Sequence, residues 1–141
     1  MTRAAAVFAF SLLLSACVSA PDDTVRLSRD NPLDQRSEQG LVEATVALET
    51  AELTRGPNDF LITLQAVGDG SASGGVPRLI GVEAVMAAHG HHAGAPSIVP
   101  ETDGTFRVEH LDLFMSGRWQ VTLGVELEAR SDSVDFALDV P

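Results

Sequence analysis

From Leu41 onward, apolar residues recur at every second position. Val42, Ala44, Val46 and Leu48 alternate with Glu43, Thr45 and Glu49, and Phe60, Ile62 and Leu64 alternate with Thr63 and Gln65. Trp119, Val121, Leu123, Val125 and Leu127 alternate with Gln120, Thr122, Glu126 and Glu128, and Phe136, Leu138 and Val140 with Asp135 and Asp139. A period of two sends alternate side chains to opposite faces, so these segments predict half-buried β-strands with one wet face. Further strands are expected at Leu79–Ala88 and Thr105–Leu111, and a short one at Ser97–Val99. Turn residues separate them: Arg55-Gly56-Pro57-Asn58, the glycine-serine loop from Gly68 to Pro77, Asp103-Gly104, Ser116-Gly117 and Arg130-Ser131-Asp132. No segment carries a convincing helical period. The pattern predicts an all-β domain, an immunoglobulin-like β-sandwich of about seven strands, with a small barrel as the alternative.

The N-terminus reads differently. A basic start, Met1-Thr2-Arg3, precedes an apolar run from Ala4 to Leu14 that is too short to span a bilayer, which needs about 20 residues. The run ends in Leu14-Ser15-Ala16-Cys17, which resembles the bacterial lipobox. Residues 1–16 are therefore expected to be a lipoprotein signal peptide, with Cys17 lipidated after cleavage. A multiply acylated cysteine holds a protein durably to a membrane surface. In lipoproteins of Gram-negative cells an aspartate after the cysteine favours retention at the inner membrane; Val18 stands there, so the expected location is the periplasmic face of the outer membrane. Residues 17–40, polar, mixed in charge and without apolar period, are expected to form a flexible tether, and residues 41–141 the sandwich domain.

Composition narrows the chemistry. The formal net charge is −11, with no lysine, so nucleic acid is a poor partner and cations are attracted. Cys17 is the only cysteine; once lipidated, it leaves the domain no catalytic thiol and no disulfide. Gly70-Ser71-Ala72-Ser73-Gly74 has alanine where a nucleophile elbow needs serine, and no phosphate-binding motif is present. Glu126 with Glu128, and Asp135 with Asp139, share outward strand faces and read as solvated carboxylates, not as an acid–base pair. The expectation is a non-enzymatic protein.

One stretch carries candidate chemistry. Val85 to Pro96, VMAAHGHHAGAP, holds three of the four histidines. Imidazole nitrogen and thioether sulfur are the ligands a thiol-free protein offers to copper. In a continuing strand, His89 and His91 would project to one face, with Gly90 letting the backbone curve between them. Met86 falls in line with the inward positions of its strand, and Met115 and His110 belong to a segment able to pack beside the loop. The candidate metal ligands are thus His89 and His91, with Met86 or Met115 third and His110 a further possibility; His92 should point opposite to His91. Three readings stand at this point: a metal site, copper first, for transfer or storage; a histidine network that shapes the sandwich rim; and a solvated loop. Under the second, the domain is an envelope adaptor presenting a strand edge or loop to a protein partner.

Gly56-Pro57-Asn58-Asp59-Phe60, Met86-Ala87-Ala88-His89-Gly90-His91, Asp103-Gly104-Thr105-Phe106 and Leu113-Phe114-Met115-Ser116-Gly117-Arg118-Trp119 together resemble the YtkA-like family, with FixH-like proteins as distant relatives. Ala87 and Ser116 depart from the pattern, which often has proline at those places. The resemblance implies a small periplasmic β-sandwich, and its FixH-like side implies a link to copper-dependent oxidase assembly.

Overall fold

The computed structural model describes residues 27–68 and 75–141. The expected signal peptide, Cys17 and tether residues 17–26 lie outside the described residues, as does most of the glycine-serine loop. All regular structure among the described residues is strand: β1 (Leu33–Arg36), β2 (Val42–Leu48), β3 (Gly56–Ala66), β4 (Arg78–Met86), β5 (His91–His92), β6 (Ser97–Thr102), β7 (Thr105–Leu113), β8 (Gly117–Leu127) and β9 (Arg130–Val140). They form two antiparallel sheets, in the order β1-β2-β3-β7-β6 and β5-β4-β8-β9.

With β1 set aside, this order is that of an immunoglobulin-like sandwich: four strands ABED against C, F and G plus a short strand at the edge of C. The two strands beyond the seven expected, β1 and β5, are four and two residues long. The alternation sets the packing. Val42, Ala44, Val46 and Leu48 of β2 and Trp119, Val121, Leu123 and Val125 of β8 are all buried in the core between the sheets. A small void between the sheets is lined by apolar side chains such as Phe60, Ile62, Val108, Val121 and Phe136. The side chains lining it are all apolar.

Among the described residues, Leu27 to Gly40, expected as part of the tether, lie against the sandwich. Leu27 is buried, Ser28 bridges to both Asn31 and Glu52, and β1 pairs along β2 from Leu33 opposite Val46 to Arg36 opposite Glu43. Register places Leu33 beside the end of β2, so the chain joins the fold at the end of the sandwich that also carries Gly56, Leu113 and Gly117.

What pins this segment is Asp132, on the inward row of β9 opposite Val125 and buried. Its carboxylate accepts the backbone N–H of Gln39 at 3.0 and 3.1 Å, of Leu41 at 3.3 Å and of Ser133 at 2.8 Å. Beside it the Glu38 N–H donates to the Ser133 carbonyl at 2.9 Å. Burial alone would raise the Asp132 carboxyl, but hydrogen bonds from the Ser37 side chain and from the Gln39, Ser133 and Leu41 amides outweigh it. The group is held below its ordinary value of 3.8.

The last hairpin turns earlier than Arg130-Ser131-Asp132. Leu127 pairs with Arg130, and the two residues between them, Glu128 and Ala129, sit at φ 51° and 64°. Two central residues at positive φ make the mirror-image turn that matches strand twist, here without the Asn-Gly signature that usually marks it. Ala129→Gly is therefore expected to stabilise the fold by roughly 0.5–1 kcal/mol, relief of left-handed strain exceeding glycine's entropy cost. An unchanged thermal midpoint would show that Ala129 is already relaxed.

Candidate functional site: the histidine rim

β4 ends at Met86, two residues before the expected end of that strand, because Ala87 to Gly90 form a turn. The His89 N–H donates to the Met86 carbonyl at 3.1 Å, and Gly90 takes φ 65°, a conformation glycine adopts at no steric cost. The chain then returns as β5, with His91 opposite Met86 and His92 opposite Val85. Paired residues on antiparallel strands share a face. Met86 points inward, only 2% exposed, so His91 sits on the same side at the open rim. His92 takes the outer face, its Nδ1 3.2 Å from Glu83 Oε1, opposite to His91 as the sequence suggests.

The turn also brings His89 back over His91. Their ring centroids are 6.1 Å apart at an interplanar angle of 29°. His91 meets the edge of Phe114 at 5.7 Å, and Phe114 in turn meets Trp119 edge-on at 5.4 Å. Trp119 is fully buried, and its Nε1–H donates to the Met115 carbonyl at 3.0 Å. Met115, partly buried, packs against the core, and the Ser116 hydroxyl donates to the Pro141 carbonyl at 2.6 Å. The link between β7 and β8 is thus fixed at both ends, and it presents Phe114, 41% exposed, to the imidazole pair.

His110 is not part of this group. Sequence alternation with Val108 would bury it, but Asn58 pairs with Leu111 and Phe60 with Val108, leaving one residue of β3 opposite two of β7. At this bulge His110 adopts φ 62°, its N–H donates to Asp59 Oδ1 at 2.8 Å, and its side chain is exposed on the five-stranded sheet. The bulge resets the inward row from Phe106 and Val108 to Leu111 and Leu113.

The structure therefore brings together the rings of His89 and His91, with Met86 opposite His91 across the ladder and Met115 in the adjoining link. It separates His92 and His110 from them. Among the described residues, no three or more histidine, cysteine, aspartate or glutamate side chains gather as a metal-binding group. Sequence reasoning overlooked Phe114. Its signal was an apolar residue beside Met115 in a link between strands, where polar residues are usual.

Compared with known proteins, the chain matches no family model, no curated protein and no solved structure.

Proposed function

We propose that this protein is a non-enzymatic lipoprotein of the bacterial envelope, anchored through Cys17, whose sandwich rim binds a soft or borderline metal ion, copper first, for transfer or storage. The observation that carries the reading is the 6.1 Å between the His89 and His91 ring centroids. Metal–nitrogen bonds of 2.0–2.1 Å allow two imidazoles on one ion to stand no more than about 6.5 Å apart, centroid to centroid. The separation falls inside that limit, and rotation of the two rings is the movement a shared ion would require. Met86 on the same face supplies the thioether that favours copper over hard cations, and the net charge of −11 draws cations toward the domain. The resemblance to YtkA-like proteins points the same way.

A second reading, an adaptor for another envelope protein, is favoured by two exposed apolar side chains at or near β4, Val76 at 54% and Ile80 at 50%.

Calorimetric titration separates the two. The protein carrying Cys17→Ser, which removes the competing thiol, is expected to bind one copper ion tightly. His89→Ala with His91→Ala in the same background is expected to abolish that binding while leaving the fold intact. Equal, weak uptake by both proteins overturns the metal reading and leaves the adaptor.

A further inference from the structure

Independently of the metal reading, we infer that the open edge of β4 is a self-association surface, on which a second copy of this chain adds its own β4 antiparallel about a twofold axis. The two four-stranded sheets then become one. An edge strand with unpaired backbone groups invites such an addition. Among the described residues, the other edges are guarded. β6 carries Pro100, and β1 is four residues long with Asp34 and Arg36. β9 is crossed at Ser133 by the Glu38 N–H and carries Asp135 and Asp139 beyond it. β4 is covered only at its end, where β5 pairs with Val85 and Met86 and the Ala93 N–H donates to the Ala84 carbonyl. Pro77, which has no N–H to offer, stands just before β4. The open stretch is therefore Arg78 to Glu83.

Full antiparallel overlap of that stretch with itself fixes the register. Arg78 falls opposite Glu83 of the second copy, Leu79 opposite Val82, and Ile80 opposite Gly81. The first pair joins opposite charges on the outer face. Each has a partner in its own chain, Arg78 with Glu126 at 3.3 Å and Glu83 with His92 at 3.2 Å, but both side chains are more than half exposed and free to turn toward the second copy. Leu79 and Val82 both pack against the core, so their pairing extends the apolar layer. Ile80 is 50% exposed, and a Cβ placed on Gly81 would meet nothing within 4 Å, so the isoleucine of one copy has room over the glycine of the other.

The backbone favours the same occupant. Ala84 turns its carbonyl to the open side, alternation gives Val82 that direction, and the bulge between Leu79 and Gly81 gives it to Leu79 as well. Leu79 and Val82 are the residues that this register sets opposite each other, twice across the axis. A bulge turns an edge away from a regular strand. A second copy brings the same bulge to the same level, and the twofold arrangement closes as a dimer. Two chains of net charge −11 repel at a distance, so the pairing rests on this local match.

The test uses the full chain carrying Cys17→Ser, in detergent with micelles in excess and with a chelator present so that no metal bridges two copies. Sedimentation over a range of concentrations compares it with Arg78→Glu, Glu83→Arg and an equimolar mixture of the two, and circular dichroism verifies that each is folded. The starting protein is expected to form a concentration-dependent dimer. Each single reversal sets like charges opposite each other twice in that dimer and is expected to weaken it about tenfold. The mixture is expected to recover the lost association as a mixed dimer, because every facing pair is again of opposite sign; no change within one chain produces that result. A starting protein that stays monomeric overturns the proposal. So does a dimer that both reversals leave intact, or one that the mixture fails to restore.

Discussion

Trp119→Ala is expected to destabilise the fold by about 3–5 kcal/mol, the range for deleting a fully buried tryptophan. Trp119 has no exposed surface and lies on the inward row of β8, opposite Leu138 of β9. Truncation empties the space under the rim, and it strips the Met115 carbonyl of its indole donor and Phe114 of its edge contact. Two losses are thereby combined, a core cavity and a broken tie in the β7–β8 link. Trp119→Phe separates them, because phenylalanine refills much of the volume and donates nothing; a smaller loss of about 1–3 kcal/mol is expected. Denaturant unfolding followed by circular dichroism measures both. A cost below about 1 kcal/mol for the alanine variant would mean that the indole is not the keystone of this end of the sandwich.

Asp132→Asn is expected to cost about 1.5–3 kcal/mol near neutral pH, as for hydrogen bonds to a charged group. The amide keeps the shape but offers one acceptor oxygen where the carboxylate offers two, and it turns an NH2 toward the Gln39 and Leu41 amides. The dependence on pH has a definite sign. Because the folded carboxyl lies below its ordinary value of 3.8, its contribution is complete above that value. It is lost as the pH falls from there through the folded value. The difference between the wild-type protein and Asp132→Asn should therefore be largest at neutral pH and shrink in acid. Hydrogen exchange gives a local readout, since Asp132 holds the turn that leads from β1 to β2: the amides of Leu33–Arg36 should lose protection first. A difference that stays constant from pH 7 to pH 2.5 would show that the charge on Asp132 contributes nothing.

Seven of the nine strands were legible, most of them from apolar rows at period two, although bulges shift that row in β4 and β7 and leave Ile80 exposed. β1 was not, since Leu-Asp-Gln-Arg carries one apolar residue and is ordered by its ladder with β2 and, through the turn that follows it, by an aspartate nearly a hundred positions away. β5 is two residues long and exists only because the Ala87–Gly90 turn folds His91 back onto Met86. Asp132 read as turn chemistry because a polar residue on an inward row is invisible to a rule that tracks apolar ones. His110 failed for a related reason, because a bulge changes the phase of the alternation without leaving a glycine to announce it. At the rim, sequence named the imidazole pair and the methionine beneath it. The bracing ring of Phe114 depends on how a three-residue link crosses from one sheet to the other, which no local pattern records.

The point where the chain joins the fold has a consequence for orientation. Leu27 packs beside the loop after β2, at the same end of the sandwich as the His89 and His91 rim. Nine residues lie between it and Cys17, a span of at most about 36 Å. With Cys17 as the proposed anchor, the point of attachment lies at the rim's end of the sandwich.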